Sequence, residues 1–129
     1  MSSIPADLGY TKEHEYVKKT ADASLVVVGI TDYAQGELGD VVFVELPKAG
    51  ATFKRMQPFG TIEAVKAVSE LFSPLDGSVV EVNALVTKDP SVVNKDPYGN
   101  GWMIKLKVAN PAQLKELLDA GAYKKHIGE

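Results

Sequence analysis

Apolar and polar positions alternate over short stretches along this chain, and its apolar runs are mostly four to seven residues long, rich in Val, Ile and Phe. Runs of that kind, separated by Gly, Pro, Asn and Asp, predict short β-strands joined by turns. Residues 14–18 and 25–30 predict a hairpin across the turn-like Thr20-Ala-Asp-Ala-Ser24. Thr31 is placed to cap a short helix through about Leu38, with Gly39 closing it. Strands are expected at 40–46, 51–53, 59–64, 68–72 and 78–82, with turns at 47–50 and 73–77 and a break at 54–58. Residues 89–94 read as one helical turn and 95–101 as a Gly/Pro-rich loop. A last strand is expected at 102–108, with Trp102, Ile104, Leu106 and Val108 facing one way and Met103, Lys105 and Lys107 the other. The period then changes. Asn110 can cap, Pro111 suits a first helical position, Leu114, Leu117 and Leu118 share a face, and Gly121 is a natural stop. Residues 1–12 read as an irregular lead-in. The expected fold is mainly β, an antiparallel sandwich or flattened barrel with short helices near the N-terminus and at the C-terminus.

Composition narrows the function classes. A chain of 129 residues, 45% hydrophobic and 24% charged, is expected to form a single domain over 1–129 with a real core. A formal net charge of −3 provides no basic footprint for nucleic acid and no polybasic membrane anchor. With no cysteine there is no disulfide or thiolate metal site, and two histidines far apart, His14 and His126, make a poor metal set. No phosphate-binding glycine pattern and no Gly-x-Ser-x-Gly elbow occurs. The first residues have neither the charged nor the apolar stretch of a signal peptide. The expected compartment is a bacterial cytoplasm, or a mitochondrial matrix for a processed form.

One lysine stands out. Lys66 lies midway between two strand-like runs, where a hairpin tip falls, in Gly60-Thr-Ile-Glu-Ala-Val-Lys-Ala-Val-Ser-Glu-Leu-Phe-Ser-Pro-Leu-Asp-Gly77. An acidic residue, a short spacer, Val-Lys-Ala and a downstream Ser-Pro-x-x-Gly resemble a lipoyl attachment site. Four further segments narrow the match: Tyr10-Thr-Lys-Glu-His-Glu15, Val28-Gly-Ile-Thr-Asp-Tyr-Ala-Gln35, Leu38-Gly-Asp-Val-Val-Phe-Val-Glu-Leu-Pro47 and Asn94-Lys-Asp-Pro-Tyr-Gly-Asn-Gly-Trp102. Together they resemble the H-protein family of the glycine cleavage system, from about Tyr10 to Tyr123.

The resemblance implies a barrel-sandwich hybrid of lipoyl-domain type and a non-catalytic carrier rather than an enzyme. It implies lipoic acid joined by an amide to Lys66. It also implies that the arm takes an aminomethyl group from a pyridoxal-phosphate glycine decarboxylase to a tetrahydrofolate-dependent aminomethyltransferase, and electrons to dihydrolipoamide dehydrogenase. Lipoyl-attaching enzymes are the remaining partners. The family shelters the loaded arm against its own surface, and acidic residues suit its ammonium. Glu15 and Glu70 are the candidates for that cleft, with His14 and Glu13 beside them. Three positions depart from the family's pattern: Ala64 for Ser, Tyr16 for Trp and Glu70 for Asp. Tyr98, Trp102 and Phe43 are expected in the core. Competing readings are a lipoyl donor in protein lipoylation, a lipoyl domain of a 2-oxoacid dehydrogenase, a biotin carrier (whose family has Met-Lys-Met where this chain has Val-Lys-Ala), and an unmodified interaction module.

Overall fold

The computed structural model describes residues 2–129. In chain order the elements are β1 (Gly9–Tyr10), β2 (Glu15–Lys19), β3 (Leu25–Ile30), α1 (Asp32–Leu38), β4 (Val41–Glu45), β5 (Thr52–Phe53), β6 (Pro58–Ala64), β7 (Val68–Phe72), β8 (Gly77–Val82), α2 (Ala84–Lys88), α3 (Val92–Lys95), β9 (Ile104–Val108), a 3-10 helix (Pro111–Glu116) and α4 (Ala120–His126). The strands form two sheets, one ordered β1-β2-β3-β9-β8-β5 and the other β4-β6-β7. Every pairing between these strands is antiparallel. The expected mainly β architecture with short helices is therefore what the chain adopts. Among the described residues no helix is long and apolar enough to cross a membrane.

Alternation along the strands builds the main core. Val26 and Val28 of β3 and Ile104 and Leu106 of β9 share one cluster with Val44, Ile62 and Leu71 of the smaller sheet, with Val86 of α2 and Val93 of α3 added to it. A second cluster gathers Leu8, Tyr10, Tyr16 and Tyr123, and ties the C-terminal helix to β1 and β2. Tyr16, where the family pattern has Trp, is wholly buried, and its hydroxyl donates to Pro97 O at 2.7 Å. Burial there does not leave a polar atom unpaired.

α1 begins and ends at its expected caps. Thr31 Oγ1 accepts from Ala34 N at 3.2 Å, and Gly39 N closes the helix on Gln35 O at 3.0 Å. Other expectations need correction. Gly9 and Tyr10, assigned to the irregular lead-in, form an edge strand on β2. The one helical turn expected at 89–94 lies at Val92–Lys95. α2 escaped the pattern because five residues, little more than one turn, are too few to display a helical period; Asn83 caps it on Leu85 N. Trp102 precedes β9 rather than opening it. It is half-buried, with the Lys105 ammonium 5.1 Å from its ring centroid, while Met103 turns inward and is fully buried. Phe43 is 45% exposed on the outside of the small sheet, not in the core. Tyr98 is half-buried against the ring of Tyr16.

The C-terminal helix is two pieces. Asn110 and Pro111 start it as expected, but the first piece is a 3-10 helix that ends where Leu118 pairs with Tyr10, N to O at 2.8 Å in both directions. Those two backbone bonds take the groups a continuous helix would need. Asp119 then caps α4, which runs through Gly121 rather than stopping there.

At Gly77, β8 lies close against β9. A Cβ there would lie 2.4 Å from Lys107 O and 2.9 Å from Leu106 Cγ. Backbone and a core leucine cannot both yield. Gly77→Ala is expected to destabilise the protein by about 1–3 kcal/mol, read as a lower urea midpoint at unchanged denaturant slope.

Candidate functional site

β6 and β7 pair from Glu63 opposite Val68 outward, leaving Ala64 to Ala67 as the tip, closed by a bond from Ala64 N to Ala67 O at 2.8 Å. Two further amides reach outside the hairpin. Val65 N donates to Asp40 O at 2.9 Å and Lys66 N to Leu38 O at 3.2 Å. The backbone is thus held by the turn between α1 and β4, while the Val65, Lys66 and Ala67 side chains are exposed. Val65 is 72% exposed, so neither neighbour of the lysine shields its amine. The lysine stem lies along the turn, against Gly39.

Beside the tip, α1 and the β6–β7 hairpin enclose a cleft of about 260 Å³, with Ile62 and Leu71 among its apolar lining. Glu13, His14, Glu15 and Glu70 all line it, although Glu70 is more than fifty residues away from the others in the chain. Lys66 is not itself a lining residue, but Leu38, whose carbonyl holds the Lys66 amide, is. A larger depression of about 730 Å³ near Lys54 and Lys107 touches none of these residues. Its size alone does not make it the site, because it is open surface with no convergence of the groups that bear on Lys66.

Glu15 departs from the expectation of a ready carboxylate. It is 1% exposed, on the first position of β2. Thr11 Oγ1 donates to its Oε1 at 2.6 Å and Phe72 N to its Oε2 at 3.4 Å. Those bonds favour the anion, but burial outweighs them and pushes the carboxyl up to about 8. At neutral pH the cleft therefore holds a largely protonated Glu15, which a cation arriving alongside would return to its anionic form. Glu70, on β7 opposite Thr61 of β6, is exposed.

His14 has a left-handed backbone, φ 74°, with its carbonyl accepting from Thr31 N at 3.1 Å. Its Nδ1 shares a hydrogen bond of 2.8 Å with the Tyr123 hydroxyl, which shares another of 2.7 Å with Thr31 Oγ1. Burial, with His126 close by, holds the imidazole below its usual value. The ring serves as wall and tether, linking the cleft to α4.

The polar lining residues that sequence reasoning did not assign to the cleft are Tyr33 and Glu37 of α1 and Ser69 of β7. Tyr33 donates to Glu37 Oε1 at 2.9 Å, and its ring lies 5.1 Å from that of His14. A signal existed. Tyr33, Ala34, Glu37 and Leu38 have the one-three-four spacing of a single helical face, and all four line the cleft.

Known proteins match this chain over nearly all of its length. A family model described as Glycine cleavage H-protein matches residues 8–129. The glycine cleavage system H protein of Chlorobium limicola is 55% identical over 127 residues, covering 98% of this chain and 99% of that one. The protein of the same name from Opitutus terrae is 52% identical, covering 99% and 100%. Among solved structures, the crystal structure of a glycine cleavage system H protein from Mycobacterium marinum matches with a TM-score of 0.88 at 38% identity, covering 98% of this chain and all of that one.

The buried acid has a measurable signature. Its folded value lies above its unfolded one, so between about pH 4.5 and 8 the unfolded chain loses this proton first and folding stability falls as pH rises. Glu15→Gln copies the neutral form and is expected to gain over the parent across that window, by about 3–5 kcal/mol at its top. Urea denaturation of both proteins at pH 5, 6.5 and 8 reads the difference; a gap constant with pH would refute the assignment.

Proposed function

The chain belongs to the glycine cleavage H-protein family, and on that premise we propose that residues 1–129 form a single, non-catalytic lipoyl-carrier domain with Lys66 as the attachment residue. The observation that carries this reading is the tip itself: an exposed lysine whose backbone amide is fixed to Leu38 O. The amine is open to an attaching enzyme, and its point of origin is constrained. The residues fit the group. The exposed amine takes the amide bond, and the narrow cleft beside it, partly apolar, has room for a slim chain rather than a bulky ring system. When bound, lipoate supplies a disulfide–dithiol pair that carries an aminomethyl unit and electrons between partners.

The protein's own residues have separate tasks in this reading. Ile62, Leu71 and Leu38 give an arm an apolar surface that excludes water. Glu70 offers a carboxylate to an ammonium, and Glu15 can release its proton to become a second one. His14 and Tyr33 hold the wall in place. Tethering replaces diffusion between active sites by a high effective concentration at each. The lysine with its acyl chain reaches on the order of 10 Å beyond the backbone.

The partners follow from the family: a pyridoxal-phosphate glycine decarboxylase, a tetrahydrofolate-dependent aminomethyltransferase, dihydrolipoamide dehydrogenase and a lipoyl-attaching enzyme. The relatives named above are bacterial, which supports work in a bacterial cytoplasm.

Intact mass of the protein from its native cell, followed by peptide mapping, is expected to place a lipoyl group on Lys66. Lys66→Arg is expected to abolish the modification and bring glycine–CO2 exchange with glycine decarboxylase down to background. Exchange that persists in Lys66→Arg would end the carrier reading. For the cleft, Glu70→Ala and Glu15→Ala are each expected to shorten the lifetime of the loaded arm in water, timed by release of its one-carbon unit in the absence of partners.

A further inference from the structure

Asn94, on α3, makes no hydrogen bond to the hairpin tip and does not line the cleft. Its carboxamide is nevertheless fully engaged. Nδ2 donates to Gly39 O and to Gln35 Oε1, each at 2.9 Å, and Oδ1 accepts from Val41 N at 2.9 Å. Those three partners span the end of α1 and the start of β4, so one side chain holds the whole turn.

The same turn grips the tip with its remaining carbonyls. Leu38 O takes Lys66 N and Asp40 O takes Val65 N, while Gly39 O, between them, points back to Asn94. Successive carbonyls therefore face opposite ways, two toward the hairpin and one toward α3. The arrangement depends on Gly39 at φ 80°, ψ −160°, a conformation essentially reserved for glycine. The missing side chain matters as well. A Cβ on Gly39 would lie 3.3 Å from Lys66 Cγ and 3.4 Å from both Cδ and Cε. The bare Cα is the surface along which the lysine stem lies.

We infer that the Gly39 turn is a cradle for the attachment residue and that Asn94 is its positioning residue. Asn94 sets, through Gly39 and Val41, where the arm leaves the backbone, and the bare Gly39 Cα gives its first carbons a surface to lie along. The inference deepens the carrier reading of Lys66 and rests on it. The chemistry is ordinary: a primary carboxamide can donate twice and accept in one plane, which no hydroxyl or carboxylate side chain can do. Asn94→Asp keeps the size and the acceptor for Val41 N. It also sets a carboxylate oxygen against two other oxygens, Gly39 O and Gln35 Oε1.

The test uses the full chain, first without any attached group. Amide hydrogen exchange is followed by NMR in the parent and in Asn94→Asp, with Asn94→Ser as a second variant should the first fail to fold. The Val65 and Lys66 amides are expected to exchange about tenfold faster, the effect of losing one to two hydrogen bonds. The Val28 and Leu106 amides in the core strands should stay within about twofold of the parent. A purely structural role for Asn94 would instead raise all four together, or leave all four unchanged; either result overturns the inference. In a second arm, the initial rate of lipoyl attachment is measured against carrier concentration with a lipoyl-attaching enzyme. A displaced amine is expected to lower kcat and leave KM near the parent value, and an unchanged kcat counts against the cradle. If the parent protein itself accepts no lipoyl group at Lys66, the carrier reading fails by itself. The exchange data, taken on unmodified protein, still decide whether Asn94 holds the tip.

Discussion

A tight hairpin can hold a side chain out at a defined place only if the amides of its tip find acceptors elsewhere. Strand pairing satisfies β6 and β7, but Val65 and Lys66 lie past the last paired residues, and their N–H groups bond instead to Asp40 O and Leu38 O. Most other features of the site follow from those two bonds. They allow the lysine to be exposed without its origin wandering, and they bring the tip against the end of α1. They also explain why α1 is short and closed at Gly39, since one more helical turn would use the carbonyls that the tip requires.

The cleft beside the tip owes its character to packing rather than to its count of acids. Glu13, Glu15, Glu37 and Glu70 all line it, and Glu15, 1% exposed, is pushed up to about 8 by burial. Burial turns a carboxylate into a proton reservoir that responds to what enters. The tethered network His14, Tyr123 and Thr31 keeps this wall in register with the C-terminal helix. Such a cleft answers to the charge of what enters it more than a fixed negative patch does. At Glu15 it takes up a cation at the cost of a proton.

Much of this is legible in the sequence. Thr31 and Gly39 bounded α1 through local cap chemistry, and alternation located most of the strands. The Lys66 tip followed from two strand-like runs with no room for more than a turn between them. The misreadings share a cause. Gly9–Tyr10 is a strand because β2 pairs with it, and Leu118, at the far end of the chain, bridges to Tyr10 from the other side. The same bridge split the last helix and left Gly121 inside α4. Trp102, Met103 and Phe43 were assigned by pattern, but their exposure depends on where β9 begins and on which face of the small sheet is covered. Tyr33 and Glu37 were overlooked although their helical spacing was visible, since nothing local says which surface a helical face will meet.

The chain alone therefore determined the elements with local causes, namely caps, turns, alternating strands and an exposed lysine in a recognisable motif. These depend on residues within a few positions of one another. Tertiary structure decided which acids meet, which of them keeps a proton, and what holds the tip. A carboxyl group's charge is set by the dielectric that distant residues build around it, and a backbone amide's partner by whichever carbonyl the fold brings near.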